Sequence, residues 1–149
     1  MNRDIYLSNS LGGKKEKFKP INPKKVRMYV CGPTVYDDPH IGNARPLVVF
    51  DILFKILKCK FGNSSVVYVR NITDVDDKII HRANHEGRDW RELVETEIGF
   101  VRAHEQRLNL IQPDHEPRAS EYIPQMVEMI KKIQIACPST IFLTKSLKD

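Results

Sequence analysis

The sequence predicts an α/β fold built on a parallel βαβ unit, and three observations carry that prediction. Two short apolar segments, Val26 to Cys31 and Ser65 to Asn71, are rich in β-branched and aromatic residues, as buried strands are. Between them Leu47, Phe50, Leu53, Phe54 and Leu57 recur at spacings of three and four, the period of one helix face. The length, 149 residues, suits one domain with a sizeable core; a domain near this size buries roughly 70% of the surface its unfolded chain exposes. Strand, helix and strand in that order make two parallel neighbours joined by a right-handed crossover.

The elements follow in chain order. The opening segment is polar and irregular. Gly12-Gly13 followed by Lys14, Lys15, Glu16 and Lys17 reads as a turn and a solvated charge run, and Phe18 to Pro23 leads into the first strand. Gly32-Pro33 ends that strand, and an irregular loop runs to about Asn43. Pro46 fits the first turn of a helix, which sets the helix start near Asn43 to Arg45, and Gly62-Asn63 stops it. Beyond the second strand the chain is mainly helical. A short helix covers Asp74 to Glu86 and stops at Gly87. Asp89 caps the next, with Trp90, Leu93, Val94, Val101 and Leu108 as its apolar stripe. Pro113 and Pro117 bracket a loop. Ser120 caps a last helix through Val127, Ile130 and Ile133, with Pro124 near its first turn. There is no internal repeat.

Composition narrows the function classes. Apolar residues at 41% and charged residues at 29% describe an ordinary folded chain. The 24 Lys plus Arg against 19 Asp plus Glu leave a net +5, compatible with nucleotide or nucleic-acid partners. No apolar run approaches the ~18 residues of a membrane span, so no membrane partner is expected. Met1 to Ser10 carries Arg3 and Asp4 and lacks an apolar stretch, so no secretory signal is expected. Cys31, Cys59 and Cys137 are too scattered for a disulfide framework, which points to a reduced, cytoplasmic setting.

The chemistry-bearing stretch is Cys31-Gly32-Pro33-Thr34-Val35-Tyr36-Asp37-Asp38-Pro39-His40-Ile41-Gly42-Asn43. It lies beyond the carboxyl end of the first strand, where open parallel sheets bind ligands. A helix N-terminus offers amide donors and partial positive charge, which suits a phosphate. Gly42 would let a purine or phosphate approach the backbone closely. His40 and Asn43, three apart, can face one ligand together. His40 can donate to a phosphate oxygen that gains charge as a leaving group departs. Other residues have plainer readings. Cys31 taken alone is a small hydrophobe at a strand end. His81 and His85 form a solvated helix face with no evident third metal ligand. Asp74, Asp76 and Asp77 are acids that favour a helix N-terminus. Cys59 and Cys137 are structural or exposed thiols.

His40-Ile41-Gly42-Asn43 resembles the HIGH signature of class I aminoacyl-tRNA synthetases. Met28 to Asp37, then Tyr68 to Ile80, then Pro113 to Ser120 with Glu116-Pro117-Arg118-Ala119, narrow the resemblance to the cysteinyl-tRNA synthetase family, from about Ile5 to Ile133. The resemblance implies a Rossmann-like (HUP-type) parallel-sheet nucleotide-binding domain, present as its first half over residues 1–87. A helical segment at 88–133 would lead into the family's insertion, and 134–149 would be a divergent tail.

The resemblance also implies an activity. The family activates cysteine with ATP and Mg2+ to cysteinyl-adenylate and transfers it to tRNA(Cys). Pro33 through Asn43 would form the ATP-binding signature, with His40 and Asn43 as the catalytic phosphate contacts. Cys31, Gly32, Thr34 and Thr73 would line the amino-acid pocket. Cys31 matches the first zinc ligand, and zinc favours the soft sulfur of the substrate; the other ligands have no counterpart in this chain. Asn43 departs from the usual His and offers a neutral donor where an ionised one would be about twice as strong. The second ATP signature has no proper match, and Phe142 to Leu147 only faintly echoes it. The expectation is therefore a ligase-family chain that alone makes no cysteinyl-adenylate. The rival readings are a non-catalytic nucleotide-binding fragment and a related ligase that joins cysteine to an amino sugar.

Overall fold

The computed structural model describes residues 4–136. Its centre is the βαβ unit. Strand β3 (Val26–Val30) pairs in parallel with β4 (Val66–Arg70), Val26 opposite Val66 through Val30 opposite Arg70. Helix α1 (Ile41–Phe61) connects them. Alternation along β3 sends Val26, Met28 and Val30 inward and leaves Arg27 and Tyr29 exposed. The inward residues meet Phe54 and Leu57 of α1 and Val66 and Tyr68 of β4 in one core cluster. The Phe54 and Tyr68 rings lie 5.0 Å apart. Burying Phe54 completely contributes about 2–3 kcal/mol, so this contact seats α1 on the sheet.

A second cluster joins helices α2 (Asp77–Glu86) and α3 (Trp90–Arg107) to the strand ends: Ile79, Ala83, Leu93, Val94, Ile98 and Val101 pack on Val35 and Ile72. Val35 belongs to the irregular loop after β3, so the loop is rooted in a core.

Five features differ from the sequence expectation. The polar opening is a hairpin, in which β1 (Tyr6–Asn9) pairs antiparallel with β2 (Lys14–Lys17). All four β2 side chains are exposed, so no alternation marked the strand. Helix α1 begins at Ile41 with His40 as its cap, earlier than Asn43 to Arg45, which leaves Pro46 in the second turn on the exposed face. Asp74 lies outside α2, whose cap is Asp76; it is buried and accepts hydrogen bonds from Ser120 N (2.9 Å) and Oγ (2.5 Å). Ser120 therefore caps no helix, and α4 (Ile123–Ala136) follows a short 3₁₀ turn. In α3, Leu108 falls past the last turn and is exposed, while Trp90 is half-buried.

The Pro113–Pro117 loop is also more than a loop. Residues 114–119 run parallel to β4 as an edge strap: Arg70 N donates to His115 O (3.1 Å), Ile72 N to Pro117 O (2.9 Å) and Ala119 N to Ile72 O (3.0 Å). Proline suits such an edge because its missing donor would face away from the ladder. Buried Arg70 fastens the strap and α3 to β4, its Nη2 lying 2.7 Å from Glu105 and 2.6 Å from Glu116. Such a buried trio adds little net stability but is costly to break.

Candidate functional site

The loop after β3 is held at three points. Asn71, just past β4, accepts from Gly32 N (3.0 Å) and from the Tyr29 hydroxyl (3.0 Å), and its amide donates to Thr73 Oγ1 (3.2 Å). Thr34 and Thr73 then bridge in parallel: Thr73 N donates to Pro33 O (3.1 Å) and Val35 N to Thr73 O (3.3 Å). A Cβ on Gly32 would come within 1.5 Å of Asn71 O, so no other residue fits between the strand ends. Farther along, Arg82 of α2 reaches the loop. Its Nη1 donates to Tyr36 O (2.5 Å) and contacts Asp37 (3.2 Å) and the buried Glu97 of α3 (3.0 Å), while Nε bonds Glu86 (2.7 Å). Burial pushes the Glu97 carboxyl above its ordinary value, and the Arg82 charge pulls it back.

The loop ends in a reciprocal cap on α1. His40 Nδ1 accepts from Gly42 N (3.0 Å), and Asn43 Oδ1 accepts from His40 N (3.0 Å). The imidazole lies over Gly42, where a Cβ would stand 2.7 Å from Cε1 and 2.9 Å from Nδ1. Both acceptor atoms are therefore committed to backbone amides. What remains is donors. With Nδ1 unprotonated, the neutral ring carries its proton on Nε2, and Asn43 keeps both Nδ2 protons. Among the described residues neither donor has a partner, and both side chains are exposed. Between α1 and α3, His40, Ala44, Leu47, Val101, His104 and Arg107 border a cavity of about 230 Å³.

Comparison with known proteins bears on this geometry. The family model described as tRNA synthetases class I (C) catalytic domain matches residues 17–137. The chain belongs to that family. It is 53% identical over 133 residues to the cysteine–tRNA ligase of Pelagibacter ubique, covering 89% of this chain and 29% of the relative. With the cysteine–tRNA ligase of a Ruegeria species it shares 53% identity over 129 residues, 87% of this chain and 28% of the relative. With that of Rhizobium etli it shares 45% over 159 aligned positions, 98% of this chain and 34% of the relative. The chain thus spans about a third or less of the length of these relatives.

Within this class I synthetase chain, the residues singled out from sequence occupy one end of the βαβ unit. Cys31, Gly32, Pro33, Thr34 and Thr73 lie at the carboxyl ends of the parallel pair. Val35 is a buried anchor and Tyr36 packs beside it. Asp37 and Asp38 are exposed, with Asp38 N donating to Asp37 Oδ1 (2.9 Å). Pro39 to Asn43 form the cap. Ile41 is fully solvent-facing at 88% exposure.

The described residues do not by themselves complete a zinc site. Cys31 is an exposed free thiol whose nearest polar partner is Gly32 O at 3.7 Å, and among the described residues no three of His, Cys, Asp and Glu converge. A stable zinc site takes four ligands, so no chemical step is routed through the metal. His81 and His85 are both exposed on α2, as a solvated face would be. Sequence reading missed Asn71, Arg82 and Arg107 at this site. Asn71 stands within the Tyr68-to-Ile80 block that carried the resemblance and Arg82 two residues beyond it, but their partners in the loop after β3 are 39 to 46 residues away in sequence. Among the described residues no helix is long and apolar enough to cross a membrane.

Proposed function

We propose that the chain supplies the triphosphate cradle of a cysteine–tRNA ligase, on the first half of a Rossmann-like, HUP-type nucleotide-binding domain. The observation that carries this reading is the reciprocal cap. It consumes the acceptors of His40 and Asn43 and leaves their donors at the N-terminus of α1. Exposed donors beside a positive helix end suit an anion.

ATP would lie with its phosphates across His40 Nε2 and Asn43 Nδ2, accompanied by Mg2+ as the nucleotide's counter-ion. Gly32, Thr34 and Thr73 would border the amino acid beside Cys31. In the full ligase a carboxylate oxygen of cysteine attacks the α-phosphorus in line, and the bond to pyrophosphate breaks. The protein then has little covalent work to do. His40 contributes by donating to phosphate oxygens as they gain charge, and its tautomer is already set by Gly42 N. Esterification of tRNA(Cys) by the adenylate completes the family's reaction.

The test is ATP binding by the chain, followed through the His40 ring and the Asn43 side-chain amide by NMR. ATP should perturb both, and His40→Ala should weaken binding about tenfold or more, as the loss of a hydrogen bond to a charged group does. Unchanged affinity in His40→Ala would refute the reading. Cysteine-dependent ATP–pyrophosphate exchange by the chain alone should stay at background.

A further inference from the structure

The charge of this chain is concentrated. Residues 14–27 hold Lys14, Lys15, Lys17, Lys19, Lys24, Lys25 and Arg27 against a single acid, Glu16, a local +6 where the whole chain carries +5. The remaining sequence is therefore slightly acidic, and among its described residues Arg70, Arg82, Arg88, Arg102 and Arg118 all meet carboxylates. In the basic lobe only Lys17 does, at 2.7 Å from Asp4, among the described residues. Lys14, Lys15, Lys19, Lys24, Lys25 and Arg27 are exposed and have no ion pair there.

The lobe has shape as well as charge. Phe18, Lys19, Pro20, Ile21, Lys25 and Arg27 line a surface cavity of about 400 Å³. Asn22 holds the turn beneath it, its side chain accepting from Lys24 N (2.9 Å) and its carbonyl from Lys25 N (3.0 Å). Phe18 packs edge-on against Phe61, ring centroids 6.2 Å apart, which fixes the lobe to the last turn of α1. His40 caps the other end of that 21-residue helix. At 1.5 Å per residue the two ends are about 30 Å apart. The lobe is thus separate from the triphosphate cradle.

We propose that this lobe is a sequence-independent binding surface for an RNA phosphate backbone. Lys19, Lys25 and Arg27 line the cavity, Lys14, Lys15 and Lys24 flank it in sequence, and unpaired Lys and Arg gain by releasing counter-ions from phosphates. The choice of RNA over other polyanions rests on the ligase reading above, whereas the surface itself does not depend on ATP binding.

The test uses the full chain and a labelled RNA hairpin across a salt series, with Lys19→Gln/Lys25→Gln compared against Lys131→Gln/Lys132→Gln, which removes the same charge from α4. The lobe variant should lower the slope of log K against log salt by about 2 and weaken binding at least ~10-fold near 0.1 M salt, while the α4 variant changes neither. His40→Ala should leave RNA binding intact, so failure of the ATP reading would not mimic failure of this one. Equal losses in the two double variants, no RNA binding by the parent chain, or tighter binding to phosphatidylserine vesicles than to RNA would each overturn the proposal.

Discussion

Replacing Gly42 with alanine isolates what the glycine does. The new Cβ would stand 2.7 Å from His40 Cε1 and 2.9 Å from Nδ1, so the imidazole must swing off the helix end. The hydrogen bond from residue 42 N to His40 Nδ1 is then lost. Loss of an N-cap contact costs about 1 kcal/mol. Alanine in a helix returns up to about 1 kcal/mol over glycine by restricting the unfolded chain. The two nearly cancel, so the urea midpoint should move little while the His40 ring changes state. Nitrogen-15 spectra of the imidazole give the direct readout. In the parent chain Nδ1 should report as an acceptor and Nε2 as protonated; in Gly42→Ala the two tautomers should mix. ATP affinity should fall with the ring, although the fold is intact. A variant that keeps the parent tautomer, or one that loses several kcal/mol of stability, would refute this reasoning.

Three further outcomes follow from the packing. Gly32→Ala puts a Cβ 1.5 Å from Asn71 O, so the strand ends must part by about 2 Å to restore van der Waals separation. The bonds Gly32 N to Asn71 Oδ1, Thr73 N to Pro33 O and Val35 N to Thr73 O would go with them, a loss of about 3 kcal/mol at ~1 kcal/mol each, measurable by urea unfolding; a change under about 1 kcal/mol would contradict it. Arg70→Met leaves Glu105 and Glu116 facing each other without their shared cation, and unfolding should cost about 3–5 kcal/mol less; adding Glu105→Leu should recover part of the loss. Acid should destabilise the chain because Arg82 and Arg88 hold the Glu86 carboxyl, and Arg118 the Glu95 carboxyl, below the ordinary 4.5. The unfolded chain takes up those protons first, so that stability is present above 4.5 and is lost as pH falls through the lowered values. Glu97, pushed up by burial, opposes this because its folded form takes a proton earlier. The acid limb of the stability–pH profile should therefore be steeper in Glu97→Gln than in the parent chain, and a flatter limb would contradict the assignment.

The βαβ unit was legible because its two codes are local. Strand residues Val26 to Val30 and Val66 to Arg70 announce themselves by composition, and α1 by its spacing. The hairpin was hidden because Lys14 to Lys17 buries nothing, so its pairing leaves no pattern in the letters. The strap at 114–119 was hidden by Pro117 within it and Pro113 just before it, which read as loop until β4 is there to receive it. Ser120 looked like a cap because a serine before an apolar run usually is one; a carboxylate 46 residues earlier claims it instead. At the candidate site, His40, Gly42 and Asn43 stood out as letters. Their mutual hydrogen bonds did not, since histidine is an unusual cap and Pro46 suggested a later start. Gly42 was expected to make room for a ligand, whereas that room is taken by the His40 ring.

The strap sets a schedule for synthesis. Arg70 and Ile72 meet their partners only when His115 and Pro117 have been added, about 45 residues later. At roughly 5–20 residues per second, the outer side of β4 waits about 2–9 seconds on the ribosome with unclaimed amides. A nascent chain caught in that interval offers a ready template for another strand. Slowing translation between codons 72 and 114 should therefore raise the yield of insoluble product more than the same delay placed after codon 120.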